Sequence, residues 1–185
     1  MKLSKFLKEY KVVATGFPAV AGLGEHSQGK QEALLTTLAP EMVLAQGDNE
    51  YFALELPRNA KFNSPEEIID ADLNVNRFSI HSVPADKLEA LDPIIVSRHE
   101  GTVEILKKDY PDAPVFSSIT KEEVAGKYVI GTLPPHLVAA AAAYTSVTIK
   151  DFNYQVDGDL VGSELEERLM IAANAIKVKK EDFQS

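Results

Sequence analysis

An α/β fold is predicted, with a mostly parallel sheet in residues 93–185 and a smaller mixed α/β arrangement in residues 1–92. Two observations carry this. From Ile94 onward, short apolar runs alternate with stretches of helical pattern, as in chains built from βαβ units. Before Asp92-Pro93 the pattern mixes helix, strand and glycine-rich signals without that regularity, so the two residues are read as a domain boundary. A hydrophobic fraction of 45% against 25% charged is enough to bury a core.

In the first half, Leu3–Tyr10 is amphipathic and helical, and Val12-Val13-Ala14 suits a short strand. A glycine-rich stretch, Gly16–Gly29, follows. Helical spacing resumes over Gln28–Leu38 and should stop at Pro40. Glu41–Gln46 and Tyr51–Leu56, separated by Gly47-Asp48-Asn49, read as a hairpin. Ser64-Pro65-Glu66-Glu67 is a helix start with a capping serine, and the helix should run to about Ala71. Arg77–Val83 reads as a strand and Pro84–Leu91 as one or two helical turns.

The second half predicts strand Ile94–Ser97, helix Gly101–Tyr110, strand Val115–Ser118, a helical turn at Thr120–Ala125 and strand Tyr128–Gly131. A helix over Pro135–Tyr144 and a strand over Val147–Ile149 complete the series. Ala139–Ala143 should belong to that helix, because alanine has the highest helix propensity.

Composition removes several function classes. With no cysteine there is no thiolate nucleophile, disulfide or cysteine-based zinc site. The net charge of −9 is shared by both halves: residues 1–92 carry 9 basic and 14 acidic side chains, and residues 93–185 carry 10 and 14. Long nucleic acid is therefore not an expected partner, since backbone affinity rests on clustered Lys and Arg. No apolar run reaches the roughly 20 residues a membrane helix needs, and the first residues lack a signal-peptide core, so a cytoplasmic location and no membrane partner are expected.

Three motifs bear on chemistry. Gly24-Glu25-His26-Ser27-Gln28-Gly29-Lys30 fits a phosphate-cradling loop in spacing, but Gln31 stands where a magnesium-binding hydroxyl belongs. A plain glycine-rich loop is the better reading. Ser97-Arg98-His99-Glu100-Gly101 follows an apolar strand and opens a helix, which places a hydroxyl, a guanidinium and an imidazole at the strand's carboxyl end. Arg98 can grip a phosphate with parallel hydrogen bonds, and His99 can move a proton near neutral pH. Gly131-Thr132-Leu133-Pro134-Pro135-His136 repeats the strand, turn and helix order, with Gly131 permitting close approach and His136 in the first helical turn. The structural alternative is that Ser97 caps the helix, Arg98 pairs with Glu104 and His136 faces solvent. No metal site is expected: the acids within Asp151–Asp159, near Tyr154, lack the ligand order of a calcium loop.

Taken in order, Ser97-Arg98-His99-x-Gly101, Val129-Ile130-Gly131-Thr132-Leu133-Pro134-x-His136-Leu137 and Gly162-x-Glu164-Leu165 resemble the small CRISPR-associated family Csx-sixteen, accessory proteins of type III systems. The resemblance covers Ile94 to about Met170, a little under half of the chain. It implies a Rossmann-like homodimer that binds cyclic oligoadenylate and, in active members, cleaves it as a ring nuclease with no metal or other cofactor. On that resemblance Arg98 holds phosphate, His99 or His136 is the acid or base, and Ser97, Gly101, Gly131, Thr132, Leu133 and Pro134 shape the ligand site. Two departures stand out: Val161 precedes Gly162 where the family has Arg, and Glu104-Ile105-Leu106 replaces Glu-Trp-Leu. Loss of the arginine bears on cleavage, and a binder without cleavage would act as a sponge for the messenger. A phage-encoded, anti-defence origin would suit such a sponge.

Overall fold

The computed structural model describes residues 1–57, 59–153, 158 and 160–183. It divides into two compact units, Met1–Ile80 with Lys179–Ser185, and His81–Val178.

In the first unit, helix α1 (Leu3–Glu9) buries Leu3, Phe6 and Leu7, the stripe its spacing predicts. Strand β1 (Tyr10–Thr15) pairs in parallel along its whole length with β2 (Gln31–Thr36). Next come β3 (Glu50–Leu54), parallel to β2, and β4 (Val75–Ser82), antiparallel to β3. Val12, Leu35, Phe52 and Val75 meet α1 in one core, which Phe183 joins through the rings of Phe6 and Phe52. The last strand segment is tied here by Ser79 Oγ, which donates to Glu181 Oε1, and by Arg77, which donates to the Asp182 carbonyl.

Three local expectations are corrected in this unit. Gln31–Thr36 is a strand and not the end of a helix, because pairing with β1 satisfies its backbone while Ala33 and Leu35 drop into the core. Pro40 opens helix α3 (Pro40–Ala45; α2 is Pro18–Ala21) instead of ending one, since its fixed φ suits the first helical position. The hairpin expected around Gly47 is absent. Gly47, at φ +94°, closes α3, with its N–H donating to the Leu44 carbonyl. Ser64 does cap α4 (Pro65–Ala71), accepting from Glu67 N at 3.4 Å.

The Gly24-to-Lys30 segment lies along β1: Ser27 Oγ accepts from Val12 N and Gly29 N donates to the Tyr10 carbonyl. A Cβ on Gly29 would stand 2.1 Å from the Glu9 carbonyl oxygen. A strand and not a helix follows, so this segment has no phosphate-loop architecture.

The second unit contains α5 (Ala85–Glu89), β5 (Pro93–Val96), α6 (Glu100–Asp109), β6 (Val115–Phe116), α7 (Lys121–Val124), β7 (Tyr128–Gly131), α8 (Pro135–Val138) and β8 (Ala143–Ile149). β6, β5, β7 and β8 are mutually parallel neighbours in that order. After α9 (Gly162–Arg168), β9 (Leu169–Ile171) and β10 (Ile176–Glu181) both run antiparallel to β8. The α/β class therefore holds, while the expected mostly parallel sheet is a mixed one. The chain leaves β8 at Ile149 and comes back by way of α9, so β9 and β10 run beside β8 in the opposite direction.

The alanine run is also corrected. α8 ends at Val138, Ala141 bridges Ala125, and Ala143 starts β8 opposite Tyr128. A helix preference of under about 0.7 kcal/mol per residue is overridden by burying Tyr144 and Val147 on a central strand. Lys177 Nζ takes up the freed carbonyls of Ala139 and Ala141.

Candidate functional site

The two motifs lie side by side because β5 and β7 are in parallel register, with Val96 opposite Gly131 and Thr132 N donating to the Val96 carbonyl at 3.0 Å. Gly131 sits at φ +138°, and a Cβ there would stand 2.0 Å from the Val96 carbonyl oxygen. Only glycine allows this closeness.

In the first loop, Ser97 N donates to the Phe116 carbonyl, and Ser97 Oγ accepts from His99 N at 3.1 Å. The helix cap is His99 and not Ser97: its Nδ1 accepts from Thr102 N at 3.2 Å, with Thr102 Oγ1 at 3.1 Å. An Nδ1 that accepts from a backbone N–H carries the lone pair, so the ring proton resides on Nε2. Nε2 is buried without a hydrogen-bond partner among the described residues, and the ring meets Phe152 edge to face at 6.0 Å. His99 is thus a fixed Nε2–H donor.

Arg98 is exposed, and its Nε donates to the Ser117 carbonyl at 3.2 Å, not to Glu104. Its terminal nitrogens have no partner among the described residues. Glu100, in the first turn of α6, offsets part of the positive field at that helix start. Gly101 is buried beneath α9, where a Cβ would stand 2.7 Å from Leu165 Cδ2 and 2.8 Å from the Leu160 carbonyl oxygen.

In the second loop, Thr132 is exposed but its Oγ1 donates to the Val147 carbonyl at 2.8 Å, leaving only acceptor capacity outward. Leu133 is buried, so its side chain serves the core. Pro134 and His136 are exposed, and His136 is unpaired among the described residues. No hydrogen bond or ion pair among the described residues joins Arg98, His99 and His136 to one another. The fold therefore juxtaposes the two loops' backbones and leaves these side chains unlinked.

Sequence reasoning missed Tyr144. Buried on β8, its hydroxyl donates to the Gly131 carbonyl at 3.1 Å and accepts from Leu133 N at 3.2 Å, so it clamps the second loop from beneath. The helical reading of the alanine run hid it. Thr102 and Phe152, the partners of His99, carry no local signal at all.

No group of three or more metal-ligating side chains exists among the described residues, and none of their helices is long and apolar enough to cross a membrane. Tyr154, Asp157 and Asp159, from the acidic stretch, lie outside the described residues.

Residues 94–179, a little under half of the chain, match the model of a family described as "Putative CRISPR-associated protein (Cas_VVA1548)". The match spans both loops and the antiparallel return to β10. No curated protein and no solved structure is matched.

Proposed function

We propose, from this similarity to a CRISPR-associated family, that the loops after β5 and β7 bind cyclic oligoadenylate and that the protein opens the ring without a metal. The Csx-sixteen resemblance supplies the ligand's identity. The observation that carries the reading is the Val96 to Gly131 register, which sets a guanidinium with unengaged terminal nitrogens and an unpaired imidazole on adjacent loops at the carboxyl ends of parallel strands.

In the reaction, a ribose 2′-oxygen attacks the adjacent phosphorus, the bond to the 5′-oxygen breaks, and a 2′,3′-cyclic phosphate and a 5′-hydroxyl remain. The attacking hydroxyl gives up a proton and the leaving oxygen takes one. Arg98 stabilises charge on the phosphate. His99, with Nδ1 committed to the cap and Nε2 buried, holds the first loop in shape. His136 is then the proton-transfer residue, and Ser97 and Thr132 shape the loops around the ring. A Rossmann-like homodimer would double the site about a two-fold axis, which suits a four-nucleotide ring.

Sequestration is the second reading, favoured by Val161, an apolar side chain 66% exposed at the start of α9 where the resemblance expects arginine. Incubation with cyclic tri-, tetra- and hexa-adenylate in EDTA, followed by chromatography, separates the two. Linear products that disappear in Arg98→Ala and His136→Ala support cleavage. Calorimetric binding with intact ligand recovered after heating supports sequestration, and neither heat nor product with any ring rejects both.

A further inference from the structure

A cleft of about 650 Å³ opens in His81–Val178, at the amino-terminal end of β5 and along the chain linking α6 to β6. None of residues 97–101 or 131–136 lines it, so it is separate from the loops discussed above. Ile94, Tyr110 and Phe116 give it an apolar lining, and four carboxylates, Asp92, Asp109, Asp112 and Glu123, face it with a single ammonium, Lys127.

Most of these charges are occupied. Lys127 Nζ pairs with Asp92 Oδ2 at 3.0 Å, and Glu123 accepts from Thr120 N and Oγ1 in the capping box of α7. Asp109 and Asp112 have no cationic partner among the described residues. The two lysines nearest in sequence are committed elsewhere: Lys108 Nζ pairs with Glu166 Oε1 at 3.2 Å, and Lys107 Nζ donates to the Pro111 and Ala113 carbonyls at 2.9 and 2.7 Å. Those bonds, with Ala113 N donating to the Tyr110 carbonyl, hold the cleft wall in place before anything binds.

The cleft also adjoins an open strand edge. β6 is the terminal strand of its sheet, and Pro114 and Phe116 line the cleft on either side of Val115. In the parallel ladder Ile95 N bonds the Pro114 carbonyl and Ser97 N the Phe116 carbonyl, so Val115 turns its own N–H and C=O outward. Its side chain is 42% exposed. An extended chain can pair with such an edge while its side chains enter a neighbouring pocket.

We propose that this cleft docks an extended basic segment of a partner protein. An Arg or Lys stem lies along Ile94, Tyr110 and Phe116, and its charged head sits between Asp109 and Asp112. Arg and Lys combine a long apolar stem with a cationic head, the pairing this lining calls for. The carboxylates repel phosphate, which excludes nucleic acid as the occupant.

The test titrates the ¹⁵N-labelled full chain with the peptide acetyl-Gly-Phe-Arg-Val-Lys-Gly-amide and with the same peptide carrying Glu in place of Arg and Lys. The expected result is saturable amide shifts over Asp109–Phe116 with the basic peptide alone, weakening as salt rises. Affinity should fall about tenfold or more in the double variant Asp109→Asn, Asp112→Asn, whose thermal melt should match the parent. No saturable shift, an equal response to the acidic peptide, or unchanged affinity in the double variant overturns the proposal. Spermidine giving the same shifts at equal or lower concentration would assign the cleft to small polyamines, and that too overturns it.

Discussion

Leu165 lies over Gly101, with its Cδ2 only 2.7 Å from where a Cβ on the glycine would stand. Two motifs more than sixty residues apart, Ser97-Arg98-His99-x-Gly101 and Gly162-x-Glu164-Leu165, are thus two sides of one helix contact. Their co-occurrence reflects packing of α6 against α9 beneath the first loop. Gly101→Ala pits the helix preference for alanine, about 1 kcal/mol, against overpacking that typically costs about 1–3 kcal/mol. Overpacking should prevail, because the Leu160 backbone oxygen at 2.8 Å cannot rotate away as a side-chain end can. A lower urea midpoint is expected, and an unchanged or higher one would refute the contact.

Tyr144→Phe removes one hydroxyl and leaves the Leu133 N–H without its hydroxyl acceptor in a buried setting. A loss of about 1–3 kcal/mol is expected, together with faster amide exchange at Leu133. Parent-like exchange there would show that the clamp is not what orders the second loop.

His99→Ala should cost about 0.5–2 kcal/mol through loss of the cap, and His99→Asn should recover most of it, since an Asn oxygen can accept from Thr102 N. Equal stability of the two variants would contradict the capping role. The Asn variant keeps the cap but lacks the imidazole, so it separates the ring's part in any ligand activity from its part in the helix start.

Acid should loosen the first unit. The Asp72 carboxylate accepts from Ser4 N at 2.8 Å, and this backbone bond holds its pKa below the ordinary 3.8. Glu55, accepting from Asn76 and Asn74, is likewise held below its ordinary 4.5. A carboxylate depressed by folding stabilises above its unfolded pKa, and that contribution fades as pH falls through the ordinary value towards the folded one. Asp72→Asn keeps an acceptor and suits the left-handed backbone at φ +42°, yet cannot titrate. Melting temperatures between pH 5 and pH 2.5 should fall less steeply in this variant, and parallel profiles would exclude Asp72 from acid sensitivity.

What could be read directly from the amino acids was local in origin. The Ser64 cap, the capping-box helix after Thr120 and the strand, turn and helix order around Ser97 and Gly131 each declare themselves within a few residues. Sterics and hydrogen bonding over one turn are enough to specify them. By the same token, the sequence by itself marked the two loops where a strand gives way to a helix.

Tertiary structure decided what depends on distant partners. Gln31–Thr36 became a strand because β1 lies beside it, and Ala143 joined a strand because Tyr128 pairs with it, in both cases against local helical preference. The same holds within the site: Thr102 sets which His99 nitrogen carries the proton, Val147 occupies the Thr132 hydroxyl, and Tyr144 anchors the Gly131 turn. A backbone hydrogen bond or a buried contact is worth forming only where its partner is presented. That presentation is a property of the folded chain and not of any window along it.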